Sequence, residues 1–428
     1  MSVKLRQEDK QMLNGQKGPG ARMAMRIMVR MAEVVDAPEL MDVSQAHIDG
    51  CGLLSDTGLE FAETLAAKGA KVSIPTTLNM GPLDLQNWKQ FGVSKDFAAK
   101  AIRQAKAYTD MGCIPTWTCA PYQSYLTPGF GRQIAWGESN AICYANSVLG
   151  ARTNRYGDFI DICAAITGRV PKCGLHLKQN RKGQILLRLV DIDSAIMQSN
   201  AFFAVLGHLT GSLADDKIPV IEGLLINASS DQLKAFCAAA ASSGAVALFH
   251  AVGITPEANT LEEAFQGRPP ERTIDVHLSD LQKAGSELST AREGTKLDLV
   301  ILGCPHFSFD EFRELAELIK AYTEAGHTLH PNVRFIVISS QTSYSLLQRS
   351  EFIDTLTDFG VEITLDTCMF HTPMVSKDTK VIMTNSGKCA YYAPGELSVQ
   401  VAFGSMAECV ESAVNGLVCQ KGALWKKS

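Results

Sequence analysis

The sequence predicts an α/β protein made of several lobes with mostly parallel sheets. Three observations predict it. In the C-terminal half, short runs rich in Val, Ile and Leu alternate with helical patterns of about 10–15 residues, as crossover connections between parallel strands require. The chain has 428 residues, 46% hydrophobic and 20% charged, an ordinary globular composition at a length for two or three domains. The longest low-charge stretch, residues 235–254, is interrupted by Ser242, Ser243 and Gly244 and carries His250 near its end. It reads as a helix, a turn and a buried strand, and no membrane association is expected.

The elements follow in order. Apolar residues at helical spacing predict helices opening near Gln7 and running from Met23 to Val35. GLEFAETLAAKGAKVSIPTTLN predicts an amphipathic helix stopped at Gly69, then a β run from Lys71 to Ile74 closed by Pro75. A long helix is expected from Ser94 to Met111, followed by a β-like run, CIPTWTCAPY. KIPVIEGLLI and AVALFHAVG bracket one βαβ unit. LDLVILGCPH, a helix from Phe309 to Glu324 and VRFIVISSQ form another, and GVEITLDTCM closes the series. Residues 256–287 are polar and loosely patterned, a connection between lobes. Three lobes are therefore expected: 1–200, 201–295 and 296–428.

Lys and Arg number 40 against 45 Asp and Glu, a net charge of −5, so nucleic acid is not an expected partner. A small anionic substrate would be held by local donors. The polar N-terminus, MSVKLRQEDKQMLNG, has no signal-peptide pattern, and a cytoplasmic, reducing location is the expectation. The twelve cysteines are then thiols or metal ligands.

Ligands of open α/β sheets bind beyond the carboxyl ends of strands. Three cysteines hold such positions: Cys119 after IPTWT, Cys304 after LDLVILG and Cys368 after VEITLDT. Three thiolates can hold an iron–sulfur cluster or Zn²⁺ with a position left for a non-protein ligand. Three buried thiols are the bland alternative, and there is no CxxC pair to decide between them. A second polar set, AWGESNAICYANSVLGARTNR, offers Glu138, Ser139, Asn140, Arg152 and Arg155 among small apolar residues. These can bind a carboxylate or hydroxyl, or simply cap and pack helices. Thr76 and Thr77 present hydroxyls at a strand end. His176 and Lys178 of GLHLKQNR share a side if that segment is a strand. His47, His250, His306 and His371 sit in or near strands, with His306 and His371 placed to support Cys304 and Cys368. Walker A, GxGxxG and GxSxG patterns are absent.

IPTTLN, TCAPY, AWGESNAICYANSVLGARTNR, GLHL, LGCPH and LDTC together resemble the large-subunit type of the aconitase X family, over about residues 5–420. The resemblance implies an aconitase-like fold, with α/β lobes around a central cleft. It implies a dehydratase whose iron–sulfur cluster, two-iron or four-iron, sits on Cys119, Cys304 and Cys368. It also implies a small swivelling-domain subunit that completes the site and brings the base. Ser139, Asn140, Thr76, Thr77, His176 and Lys178 are the expected substrate contacts. Two activities occur in the family, cis-3-hydroxy-L-proline dehydration and mevalonate 5-phosphate dehydration. NRYGDFIDICAAITGR looks closer to the hydroxyproline type, while Ala120 departs from the family's TCTPY form. From the residues alone, a zinc-dependent lyase or hydrolase and a non-catalytic scaffold stay open.

Overall fold

The computed structural model describes residues 3–53, 55–123, 126–422 and 424. The chain divides into two compact units. Unit 1 is Met1–Lys182 with Asp366–Thr372, and unit 2 is Gly183–Leu365 with Pro373–Ser428. The division falls after Lys182, and the strand at Ile185–Leu189 pairs only within unit 2.

Unit 1 contains β1 (Leu40–Asp42), β2 (Ala46–Ile48), β3 (Thr76–Leu78), β4 (Ala135–Trp136) and β5 (Arg169–Pro171). β1 and β5 pair antiparallel; β3, β2 and β4 form a parallel sheet in that order. Helices Pro19–Val34 and Ile160–Thr167 pack together and bury Met25, Met28, Ala32, Ile162 and Ala165. Met and Ala at three- and four-residue spacing give the first helix one apolar face, and Pro19 suits its first turn, where no N–H partner is needed.

Unit 2 contains β6 (Ile185–Leu189), β7 (Pro219–Glu222), β8 (His250–Ala251), β9 (Arg272–Val276), β10 (Leu299–Phe307), β11 (Arg334–Ser339), β12 (Val361–Leu365), β13 (Val381–Thr384) and β14 (Gln400–Phe403). Two all-parallel sheets result, ordered β8-β7-β6-β9 and β12-β11-β10-β13-β14. Helices Asn200–Ala214 and Ser230–Ser243 pack against each other. Phe307, Phe312, Leu315, Ile319, Phe335 and Val337 fill the core of the larger sheet. The mixed α/β class with mostly parallel sheets is therefore what the chain adopts. No described helix is long and apolar enough to cross a membrane.

Local signals placed several elements correctly. Ser94 caps the helix Lys95–Asp110, and Ser308 with Glu311 forms a capping box that starts the helix Phe309–Glu324. Three expectations fail. Lys71–Ile74 forms no strand; the strand begins after Pro75, at Thr76, where β2 supplies a parallel partner. CIPTWTC forms only an isolated bridge at Ile114. Pro115 lacks an N–H, and Trp117 turns to a φ of 43°, so a ladder cannot continue through them. GLHLKQNR makes two 3₁₀ turns, Gly174–His176 and Lys178–Arg181, and not a strand. His176 is buried and Lys178 exposed, so the two do not share a side.

Candidate active site

In each parallel sheet the strand order reverses at one place, and the carboxyl edge there is where a crevice forms. In unit 1 the reversal is at β2, flanked by β3 and β4. Asp49 and Asn79 directly follow β2 and β3, and Glu138 follows β4 after Gly137. The Asn79 amide donates to the Asp49 carboxylate. Asp161 accepts from the backbone N–H groups of Asp49 at 2.7 Å and Gly50 at 3.2 Å, which holds the turn after β2. Burial, with Asp158 nearby, pushes the Asp161 carboxyl up to about 8.

The segments that carry Cys119 and Cys368 both hydrogen-bond the chain at the end of β3 and just beyond it. On the first side, the Thr118 N–H donates to Leu78 O at 3.2 Å, and the Thr116 hydroxyl donates to the same oxygen at 2.9 Å. On the second side, Gly81 N–H donates to Asp366 O at 2.5 Å, and the Thr372 hydroxyl donates to Pro82 O at 2.7 Å. Cys368 O accepts from His371 and Thr372 N–H groups, closing a tight turn after Cys368. Gly81 lies between the two segments. A Cβ there would stand 3.0 Å from Asp366 O and 3.4 Å from the Trp117 ring, so any side chain would press on both segments by a few tenths of an ångström. Both thiols are half-buried, whereas Cys51, Cys113, Cys143 and Cys163 of the same unit are buried.

Asn140 joins Cys119 to the AWGESNA block. Its side-chain amide donates to Cys119 O at 3.1 Å and to the Tyr122 hydroxyl at 3.0 Å. The Tyr122 ring stacks on Tyr144 with centroids 3.7 Å apart. Ser139 is half-buried at the first position of the helix Ser139–Ser147, which Glu138 caps by accepting from Ala141 N–H. Thr76 and Thr77 are buried. Their hydroxyls donate to Ile74 O at 2.8 Å and Ala46 O at 3.3 Å, and Thr77 also meets His47 Nδ1 at 2.8 Å. Burial pushes His47 down to about 3 against the opposing influence of Glu138 and the Thr118 carbonyl. Arg155 is exposed and Arg152 half-buried.

His176 has both ring nitrogens engaged, Nδ1 with Gln133 Oε1 at 2.7 Å and Nε2 with the Tyr156 hydroxyl at 2.6 Å. Burial, then Arg181 and Arg152, lowers its pKa from 6.5 to about 4. The folded ring is neutral where the unfolded ring is already charged. The stability it contributes is complete above pH 6.5 and lost as pH falls to 4, about 3 kcal/mol over that window. His176→Gln should flatten the acid limb of urea-unfolding curves between pH 6.5 and 4; an unchanged limb would refute this.

In unit 2 the larger sheet reverses order between β10 and β13. A cavity of about 410 Å³ opens at that edge, lined by Gly303, Cys304 and Pro305 on one side and Asn385, Ser386 and Gly387 on another. Cys304 is half-buried there, and the Ser386 hydroxyl donates to its carbonyl. Cys304 stands not at a strand end but in a bulge: Leu302 pairs with Val337 and the next pair is Phe307 with Ser339. Buried Lys234, between Asp231 and Glu311, also lines this cavity.

The three proposed ligands are thus divided, Cys119 and Cys368 on unit 1 and Cys304 on unit 2. Among the described residues, no three His, Cys, Asp or Glu side chains form a preformed metal cage. The donor chemistry nonetheless fits an iron–sulfur cluster: three part-exposed sulfurs at carboxyl edges, while most other thiols are buried. The Asn79 amide was legible beside Thr76 and Thr77 at the end of its strand, whereas sequence reasoning missed Asp49 and Lys234. Asp49 follows a strand end directly, which is a usable signal. Lys234 stands three residues after Asp231 on a helix that is otherwise uncharged, a weaker one.

Models of the first, second and third domains of aconitase X match residues 2–179, 184–286 and 297–415. The chain is 45% identical to a cis-3-hydroxy-L-proline dehydratase of Pseudomonas aeruginosa, over 95% of this chain and 69% of that protein. It is 42% identical to a protein of that name in Hypocrea jecorina, over 97% and 69%. It is 36% identical to the phosphomevalonate dehydratase large subunit of Methanothermobacter thermautotrophicus, over 94% and 96%. The crystal structure of Thermococcus kodakaraensis aconitase X in its holo-form superposes with a TM-score of 0.83 at 30% identity, covering 94% of this chain and 97% of that one.

Proposed function

The chain belongs to the aconitase X family, and from that premise we propose that it is an iron–sulfur-dependent dehydratase that converts cis-3-hydroxy-L-proline to Δ1-pyrroline-2-carboxylate. The observation that supports the reading is that the residues flanking Cys119 and those flanking Cys368, far apart in sequence, hydrogen-bond the same stretch of chain, Leu78 to Pro82. Cys119, Cys368 and Cys304 are the proposed ligands. The cluster would supply a Lewis-acidic iron to a leaving hydroxyl.

The remaining roles belong to this chain's side chains. Ser139, at the first position of its helix, is the proposed hydroxyl contact for the substrate carboxylate. Asn140 fixes the Cys119 backbone and sets the Tyr122 hydroxyl. Thr76 and Thr77 spend their hydroxyl protons on backbone carbonyls, so their proposed contribution is to shape the strand edge. His176 is likewise assigned to holding the wall of the site, and exposed Lys178 to peripheral attraction of an anionic substrate. The α proton is taken by a base on a separate small subunit. Coverage of 96% of a relative named a large subunit supports such a partner.

The test is co-expression with the candidate small subunit, anaerobic purification and assay of both substrates. A brown protein containing iron and sulfide that consumes the hydroxyproline is expected. A colourless zinc protein would overturn the cofactor, and turnover of mevalonate 5-phosphate alone would overturn the substrate.

A further inference from the structure

We infer that Lys234 is a positioning residue for the Cys304 thiol, acting through the backbone that follows it. This rests on the reading of Cys304 as a ligand. The argument is one of backbone hydrogen bonds. Where residues 303–306 bulge out of the β10–β11 ladder, their peptide groups lose strand partners, and buried peptide groups need replacements. Side chains provide them. The Ser386 hydroxyl donates to Cys304 O. The Lys234 ammonium donates to His306 O at 3.3 Å, and the Ser339 hydroxyl donates to Phe307 O at 2.7 Å.

Lys234 is 2% exposed and has three protons for three acceptors: Asp231 Oδ1 at 2.9 Å, Glu311 Oε2 and His306 O. Burial opposes the charge, and Glu311 and Asp231 outweigh it, so the ammonium stays protonated. Its two carboxylates are themselves tied to the turn after Cys304. Asp231 accepts from the Ser308 hydroxyl at 2.7 Å, and Glu311 accepts from Ser308 N–H at 2.8 Å. One buried cation therefore grips residues 306 and 308 at once, and ties them to the helix Ser230–Ser243. A neutral side chain of the same length would free His306 O and release the turn.

The experiment is alkylation of the metal-free, folded protein with iodoacetamide, read at each cysteine by peptide mass spectrometry. Loss of a charge-assisted hydrogen bond of this kind corresponds to about a tenfold change in local opening. Lys234→Met is expected to label at Cys304 about tenfold faster, with Cys119 and Cys368 unchanged, and to bind less iron with an altered visible spectrum on reconstitution. Because Lys234→Met leaves two buried carboxylates unpaired, Lys234→Met/Glu311→Gln is made beside it; Gln keeps the capping box. If neither folds, Ser308→Ala reports on the same grip. A folded variant whose Cys304 labels at the parental rate overturns the inference. A parental protein that takes up no iron, with the labelling change still present, ends the cluster reading and leaves the positioning role standing.

Discussion

Serine at Cys119, Cys304 or Cys368, one position at a time, is expected to remove visible absorbance and lower turnover by about a thousandfold or more, at least about 4 kcal/mol of transition-state stabilisation. The hydroxyl is a hard donor and a poor substitute for a thiolate on iron. Each thiol is half-buried beside the carboxyl edge of a parallel sheet, so the substitution changes one sulfur atom for oxygen without opening a core cavity. The apparent melting temperature of the metal-free variants should therefore match the metal-free parent. Cys419→Ser provides the comparison. Cys419 is also part-exposed, but its sulfur lies against Leu417 O and the Asn415 amide near the C-terminus. It should keep both iron and turnover. Any of the three variants that retained a full complement of iron and full turnover would remove that cysteine from the ligand set.

Gly303→Ala is expected to be the most damaging single methyl group in unit 2. Gly303 has a φ of 94°, and a Cβ there would stand 2.0 Å from Ile338 O, with Ile338 C and N at 2.9 and 3.0 Å. The obstacle is backbone of β11, which is held on both sides by parallel partners and cannot retreat without sliding a ladder. Left-handed strain and overpacking together cost about 3–5 kcal/mol. Against a total stability of about 5–15 kcal/mol, that is a drop of roughly 10 °C in melting temperature or failure to accumulate folded protein. Gly395→Ala is the control. It lies exposed in the helix Gly387–Glu396 with nothing within 4 Å of a new Cβ, and should be neutral or slightly stabilising. Gly303→Ala melting within about 2 °C of the parent would show that the bulge carrying Cys304 is far softer than the sheet around it.

The legible parts of the fold were those with local causes. Ser94 before an apolar-periodic run, and Ser308 three residues before Glu311, mark helix starts because the capping partners lie within one turn. β11 was readable as a Val/Ile-rich run because it is buried between two parallel neighbours. The strand at Thr76–Leu78 was displaced from the expected Lys71–Ile74 because both segments have β-forming residues, and only the presence of β2 alongside chooses between them. The His176–Lys178 pairing failed for a similar reason. The buried Tyr156 hydroxyl and Gln133 draw His176 inward and fold its segment into 3₁₀ turns.

The sequence by itself determined the α/β class and the parallel sheets of unit 2, because period and caps are properties of neighbouring residues. Tertiary structure alone decided that Asp366–Thr372 joins unit 1 through Gly81 and Pro82. It alone decided that Cys304 stands in a bulge, and that Lys234 finds Glu311 and His306 O in the core. Those outcomes depend on hydrogen bonds between residues tens to hundreds of positions apart, and no local pattern encodes which distant acceptor a buried donor will meet.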